Sequence, residues 1–229
     1  MHTLRLARAG LVLGQHGVRF IPKGVPVPWP LRLANLASAP LRWMTAPCRM
    51  GEPKATRVGA ALSQLGPSYV KLGQFLATRA DVIGPELAAD LRHLQDKAAP
   101  FSMREARDAV ERALGGKLED HFVEFGPPVA AASIAQVHKA YVMQGGVKKA
   151  VAVKILRPDI EKRFTRDLDS YYFAARLIER FYPPARRLRP VAVVDNLKHT
   201  TGLEMDLRLE AAAISEIAEN IKADSGFRV

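Results

Sequence analysis

Cysteine is nearly absent: Cys48 stands alone, so no disulfide framework and no cysteine-rich metal site can form. The six histidines show no paired ligand spacing, and no metal site is expected from them. A chain with this cysteine usage reads as an intracellular protein. No run of 18 apolar residues occurs, which leaves no candidate for a spanning helix. The stretch from Ala9 to Val18 is short and interrupted by Gln15 and His16, a poor core for a signal peptide. Any membrane association of this chain is therefore expected to be peripheral. Also lacking are an RNP-like string and a helix-turn-helix pattern, which makes nucleic acid an improbable partner.

Against these absences stand 229 residues, 48% hydrophobic and 25% charged, enough to bury a core in one domain with or without an appendage. The net charge is +11 and the pI about 10.0, which asks for an anionic partner: nucleic acid, acidic lipid or nucleotide phosphate. Residues 1–60 carry nine basic side chains against one acid, Glu52, a net +8, and the remainder is nearly balanced. An anionic membrane face matches that distribution best.

Along the chain, the first twenty-two residues mix Leu4, Leu6, Leu11, Val12 and Leu13 with Arg5, Arg8 and Arg19. They suit a short basic amphipathic helix resting on lipid headgroups, or else a frayed solvated terminus. Seven prolines between Pro22 and Pro53 mark a tether, in which Trp29 and Trp43 serve either as bilayer-interface or as packing anchors. Residues 1–53 thus form a basic, proline-rich arm. A helical extension follows over 54–121: a long helix Lys54–Thr78 with an interruption at Gly66 and Pro67, a helix Pro85–Asp96, and a helix opened by the Ser102 and Glu105 capping box and closed by Gly115. From Phe122 to Leu156 the texture turns to strand, with runs Ile134–Val142 and Ala150–Leu156 about a turn at Gln144, Gly145 and Gly146. Helices return at Asp159–Tyr182 and Pro190–Ile221, and Gly226–Val229 looks like the start of another strand.

Three features suggest chemistry. Lys154 lies among Val151, Val153 and Ile155, where burial demands an anionic partner, and VAVK is the strand-lysine pattern with which protein kinases hold ATP phosphates. A strand-end lysine that reaches water is the plain alternative. Pro127–Ser133 reads as a loop of small residues that lets backbone amides approach phosphate oxygens, or as tight packing. Asp206 and Glu210, four apart on the expected last helix, repel unless lysines answer them, with Lys154 as one such partner; Glu204 is spaced to pair with Arg208.

The segments LGPSYVKLGQFLATRADVIGPELAADLRHLQD (Leu65–Asp96), PVAAASIAQVHKA (Pro128–Ala140), VAVKILRP (Val151–Pro158) and EMDLRLEA (Glu204–Ala211) occur in order. Together they resemble the UbiB family of atypical protein-kinase-like ATPases over roughly residues 60–229. The resemblance implies an α+β fold, a protein-kinase-like N-lobe with a small antiparallel sheet plus family-specific N-terminal helices, the N-lobe covering 122–229. It implies that Lys71 and Gln74 form the KxGQ motif of a helix folded over the nucleotide pocket, facing Glu204 and Asp206 of the ExD motif. Ala130, Ala131, Ala132 and Ser133 resemble the alanine-rich loop that replaces the kinase glycine loop. Lys154 takes the place of the phosphate-binding lysine and Glu210 that of its ion-pair partner. ATP and Mg2+ are the implied cofactors, and lipid precursors of ubiquinone at the cytoplasmic side of a bacterial inner membrane the implied surroundings.

The catalytic Asp and Asn loop and metal-binding Asp that kinase-like transfer requires do not follow Glu210 within these 229 residues. Residues 1–229 are therefore expected to be incomplete for catalysis, with the metal ligands outside them. A non-catalytic lipid-binding or scaffold protein with a pseudokinase lobe is the alternative. The older family name, 2-polyprenylphenol hydroxylase, finds no flavin fingerprint or iron-ligand triad in this sequence.

Overall fold

Gly66 divides the first long helical segment. The computed structural model, which describes residues 2–16, 54–92, 94, 98–224 and 226, gives Gly66 a φ of 117° and starts a new helix at Pro67. That φ belongs to glycine, and a proline at the first helical position loses no hydrogen bond it could have made. The result is α2 (Lys54–Leu65) and α3 (Pro67–Ala77), preceded by α1 (His2–Gln15). Then follow α4 (Ala80–Ile83), α5 (Pro85–Arg92), α6 (Met103–Leu114) and α7 (Leu118–His121). Strands β1 (Glu124–Ala131), β2 (Ala135–Gln144) and β3 (Val147–Leu156) come next, and α8 (Ile160–Phe181), a 3-10 turn (Pro183–Leu188), α9 (Pro190–Met205) and α10 (Leu207–Asn220) complete the order. The expected tether over Pro22–Pro53, with Trp29, Trp43 and Cys48, lies outside the described residues, as does the expected terminal strand apart from Gly226.

The fold is α+β. The three strands form one antiparallel sheet in the order β1-β2-β3, and β2 turns into β3 through Gly145 and Gly146, both at positive φ. Prolines 127 and 128 do not make a loop, contrary to the expectation for Pro127–Ser133. They sit in β1, an edge strand whose register is irregular on both sides of Pro128. An edge strand with bulges tolerates residues that cannot donate to the ladder.

Among the described residues the two largest of four apolar clusters serve as cores. In the larger, Ala9, Val58, Leu62, Tyr69, Ala77 and Leu91 meet Phe164, Leu168, Tyr171, Ala175, Val194 and Leu197, so α1, α2, α3 and α5 pack on α8 and α9. In the smaller, Ala106 and Val110 of α6 and Leu118 of α7 cover Ile155, with Val153 and Phe125 against them. The helical extension and the strand-bearing segment therefore contribute to both cores. The α1 helix forms, and part of its apolar side is used inside the protein: Ala9 joins the large core, and Val12 and Leu13 close on Ala61 of α2, while Leu4 and Leu11 stay exposed.

Gly73 shows how tightly α3 is seated. A Cβ there would lie 2.6 Å from terminal methyls of both Leu62 and Leu94, and such overpacking costs ~1–3 kcal/mol. Gly73→Val should lower the urea unfolding free energy by about that amount. An unchanged midpoint would show that the two leucines yield freely.

Candidate nucleotide-binding face

Strand alternation sorts the sheet into two faces. Val153 and Ile155 point to α6, whereas Lys154 points the other way with Ala150 and Ala152. Of the two readings of Lys154, burial against an anion or a reach to water, the structure combines parts of both: its side chain is 40% exposed and has an anionic partner. In register, Lys154 pairs with Val137, and Val137 with Ala130. One row across the open face therefore runs Ala130, Val137, Lys154, two small or modest side chains beside one cation. Ala131 ends β1, Ala132 closes the turn by donating its N–H to the Ala135 carbonyl at 2.8 Å, and Ser133 is buried within it.

Helices α9 and α10 bring acids to this cation. The expected single helix Pro190–Ile221 is broken at Asp206, whose φ of −86° and ψ of 85° leave the helical region. Asp206 caps α10 by accepting from the Arg208 N–H at 3.2 Å, and the Arg208 guanidinium bonds both its carboxylate oxygens at 2.8 Å. That guanidinium holds the Asp206 carboxyl below the ordinary carboxylate range. Two expectations change accordingly. Asp206 and Glu210 do not share one helix face, and Arg208 pairs with Asp206 instead of Glu204.

The break aims the two glutamates at different lysines. Glu210, in the first turn of α10, meets Lys154 at 2.5 Å. Glu204, at the end of α9, meets Lys71 of α3 at 2.6 Å, with the Lys71 side chain 13% exposed. Gln74 is half-buried one turn further along α3. The Lys154–Glu210 pair is half-exposed, and such pairs contribute only ~0–1 kcal/mol, so it orients groups far more than it stabilises the fold. Among the described residues no group of three or more His, Cys, Asp or Glu side chains is placed to hold a metal.

Residues 93–229 match the ABC1 atypical kinase-like domain. Curated proteins described as probable protein kinase UbiB share substantial identity with this chain. The one from Marinobacter nauticus is 40% identical over 200 residues, which is 86% of this chain and 35% of the relative. That from Aeromonas hydrophila is 36% identical over 226 residues, 98% of this chain and 40% of the relative. The chain belongs to the UbiB family. A third member, from Xanthomonas campestris, is 39% identical over 219 residues, 93% of this chain and 38% of its own. The chain thus spans well under half the length of these UbiB relatives, and no solved structure matches it.

Sequence reasoning assigned no role to three residues that hold the alanine-rich segment of this UbiB chain. Arg157 donates to the Ala132 carbonyl at 3.0 and 3.2 Å and to the Ala99 carbonyl at 2.7 Å, stacking its guanidinium over Phe101. Gln136, fully buried, accepts from the Phe101 N–H at 2.9 Å and donates to His138 Nε2 at 2.8 Å. His138 Nδ1 then donates to the Gly126 carbonyl at 2.8 Å. These contacts tie β1 and its turn to the approach to α6. A polar alternation in a strand otherwise facing a core (Gln136, His138) was the available signal, since buried polar groups persist where each has a partner. Gln136→Leu, which orphans the Phe101 N–H and the His138 acceptor, should cost ~1–3 kcal/mol, read from chemical denaturation. A neutral result would show that water replaces both bonds.

Proposed function

We propose that this chain is the nucleotide-binding N-terminal lobe of a UbiB-like atypical kinase or ATPase that supports ubiquinone biosynthesis at a membrane surface. The observation that carries the reading is the Lys154–Glu210 pair, 2.5 Å long, standing on an open sheet face in register with Ala130. Support for the family's activity comes from the relatives described as probable protein kinases.

The residues fit ATP in charge and space. Bound with Mg2+, ATP supplies a transferable phosphoryl group. Lys154 offers an exposed ammonium to anionic phosphates, and Glu210 keeps that ammonium aimed. Ala130, Ala131 and Ala132 present nothing beyond a methyl, which leaves room for phosphate beside the strand end, and Arg157 fixes the turn that follows. Lys71, Gln74, Glu204 and Asp206 take a regulatory role: the Lys71–Glu204 pair ties α3 to the α9–α10 junction that delivers Glu210. Ligands for Mg2+ and the catalytic acid are assigned to sequence outside residues 1–229.

Titration of purified residues 1–229 with a fluorescent ATP analogue should show saturable binding that Lys154→Ala weakens at least about tenfold, the loss of one charge-assisted contact. Binding indifferent to Lys154→Ala would overturn the site assignment. The same preparation should release no phosphate from ATP. Lys154-dependent turnover would overturn the assignment of a lobe that lacks its catalytic residues.

A further inference from the structure

A second cationic surface lies apart from the Lys154 face. Between α1, the α2–α3 junction and α8 is a cavity of about 500 Å3, inside the ~300–1,000 Å3 range of ligand pockets. Arg5 and Arg8 of α1 and Arg163 and Arg166 of α8 line it, against a single acid, Asp167. Arg5 is anchored by donating to the Arg166 carbonyl at 2.6 Å, and Arg166 by donating to the Lys162 carbonyl at 3.0 Å. Among the described residues none of the four forms an ion pair. Four guanidiniums gathered around one cavity repel each other unless an anion answers them.

The cavity also holds a donor without an acceptor. Tyr69, which lines it, is 8% exposed, and its hydroxyl makes no hydrogen bond among the described residues. Burial, and to a lesser extent Asp167, push the pKa of that hydroxyl up to about 12 against the opposing pull of Arg8 and Arg5. Behind it the Tyr171 ring stands edge-on, the ring centroids 5.4 Å apart, and the Tyr171 hydroxyl is buried with no partner among the described residues. Buried hydroxyls nearly always find one, so an open donor at the floor of a basic cavity is a feature of a ligand site.

We propose that this cavity binds a phosphate-bearing anion, with Arg5 and Arg8 of α1 and Arg163 and Arg166 of α8 as the clamp and Tyr69 as a hydroxyl donor. Guanidiniums suit the task because their paired N–H groups match phosphate oxygens. The phosphate belongs either to a soluble phosphoester or to an acidic lipid headgroup, whose chemistry is shared. The site stands independently of nucleotide binding at Lys154.

The test uses the full chain, with and without Lys154→Ala. It is titrated with sn-glycerol 3-phosphate and sedimented with phosphatidylcholine vesicles with or without phosphatidylglycerol. Arg163→Gln with Arg166→Gln should weaken binding at least about tenfold, in either Lys154 background. An equal loss of charge on α6, Arg104→Gln with Arg112→Gln, should leave it within about twofold. Tyr69→Phe, which removes only the hydroxyl, should weaken binding severalfold without altering the melting curve. Saturation by glycerol phosphate assigns the soluble source, and binding confined to phosphatidylglycerol vesicles assigns the lipid source. Binding of neither probe, or equal losses from the α6 and α8 variants, overturns the site. Because ATP is read at Lys154 and phosphate at α8, failure of one reading leaves the other measurable.

Discussion

A strand that buries one face and opens the other must place neighbouring residues in opposite environments, and the arrangement of this lobe depends on β3 obeying that rule. Val153 and Ile155 are drawn to α6, and Lys154 between them has no choice but the open side. A one-residue slip in register would send the lysine into the α6 core and two apolar side chains into water. The apolar contacts of α6 therefore set the position of a charge they never touch. The antiparallel pairing carries the constraint across the sheet, aligning Val137 and Ala130 with the lysine.

The acids reach that face through a different device. Had Pro190–Ile221 continued as one helix, Glu204 and Glu210 would have pointed in directions set by helical phase alone. Asp206 interrupts the phase, and its own carboxylate is satisfied locally by Arg208. The junction can then offer Glu204 to α3 and Glu210 to β3 at once. Since the Lys154–Glu210 pair is partly solvated and worth little in stability, its geometry can change without unfolding either core. The Lys71–Glu204 contact makes the setting of α3 and the aim of Glu210 mutually dependent, because both glutamates flank one break.

Legibility in the sequence followed the locality of the cause. The capping box at Ser102, the turn at Gly145 and Gly146, and the break at Gly66 are decided within a few residues, and each was readable. The family motifs singled out Lys71, Lys154, Glu204 and Glu210, and the structure places them in two pairs. What escaped was set by partners distant in sequence. Arg157 reaches carbonyls 25 and 58 residues away, and Gln136 meets Phe101 from 35 residues away. The break at Asp206 escaped for another reason: apolar residues at helical spacing continue on both sides of it, and no proline or glycine stands within three residues of it. Burial or exposure of Lys154 stayed open because an apolar run conceals which of its members faces out.

The positive charge of the chain also takes on meaning only in three dimensions. Read as a sequence, Arg5 and Arg8 belong to a basic arm whose natural counterpart is a flat anionic surface. Folded, α1 spends Ala9, Val12 and Leu13 on contacts within the protein and leaves Leu4 and Leu11 exposed. Its arginines instead join Arg163 and Arg166, more than 150 residues later, around one concavity. A concave cluster with low-dielectric walls focuses its field where a convex basic arm disperses it. It discriminates by the shape and reach of an anion as well as by its charge. The docking of α1 thus converts a nonspecific attraction into a geometric one, and the cavity opens at Gly66 and Pro67, where α3 begins two residues before Tyr69 and four before Lys71. An anion held there would press on the same helix that Glu204 holds from its other side.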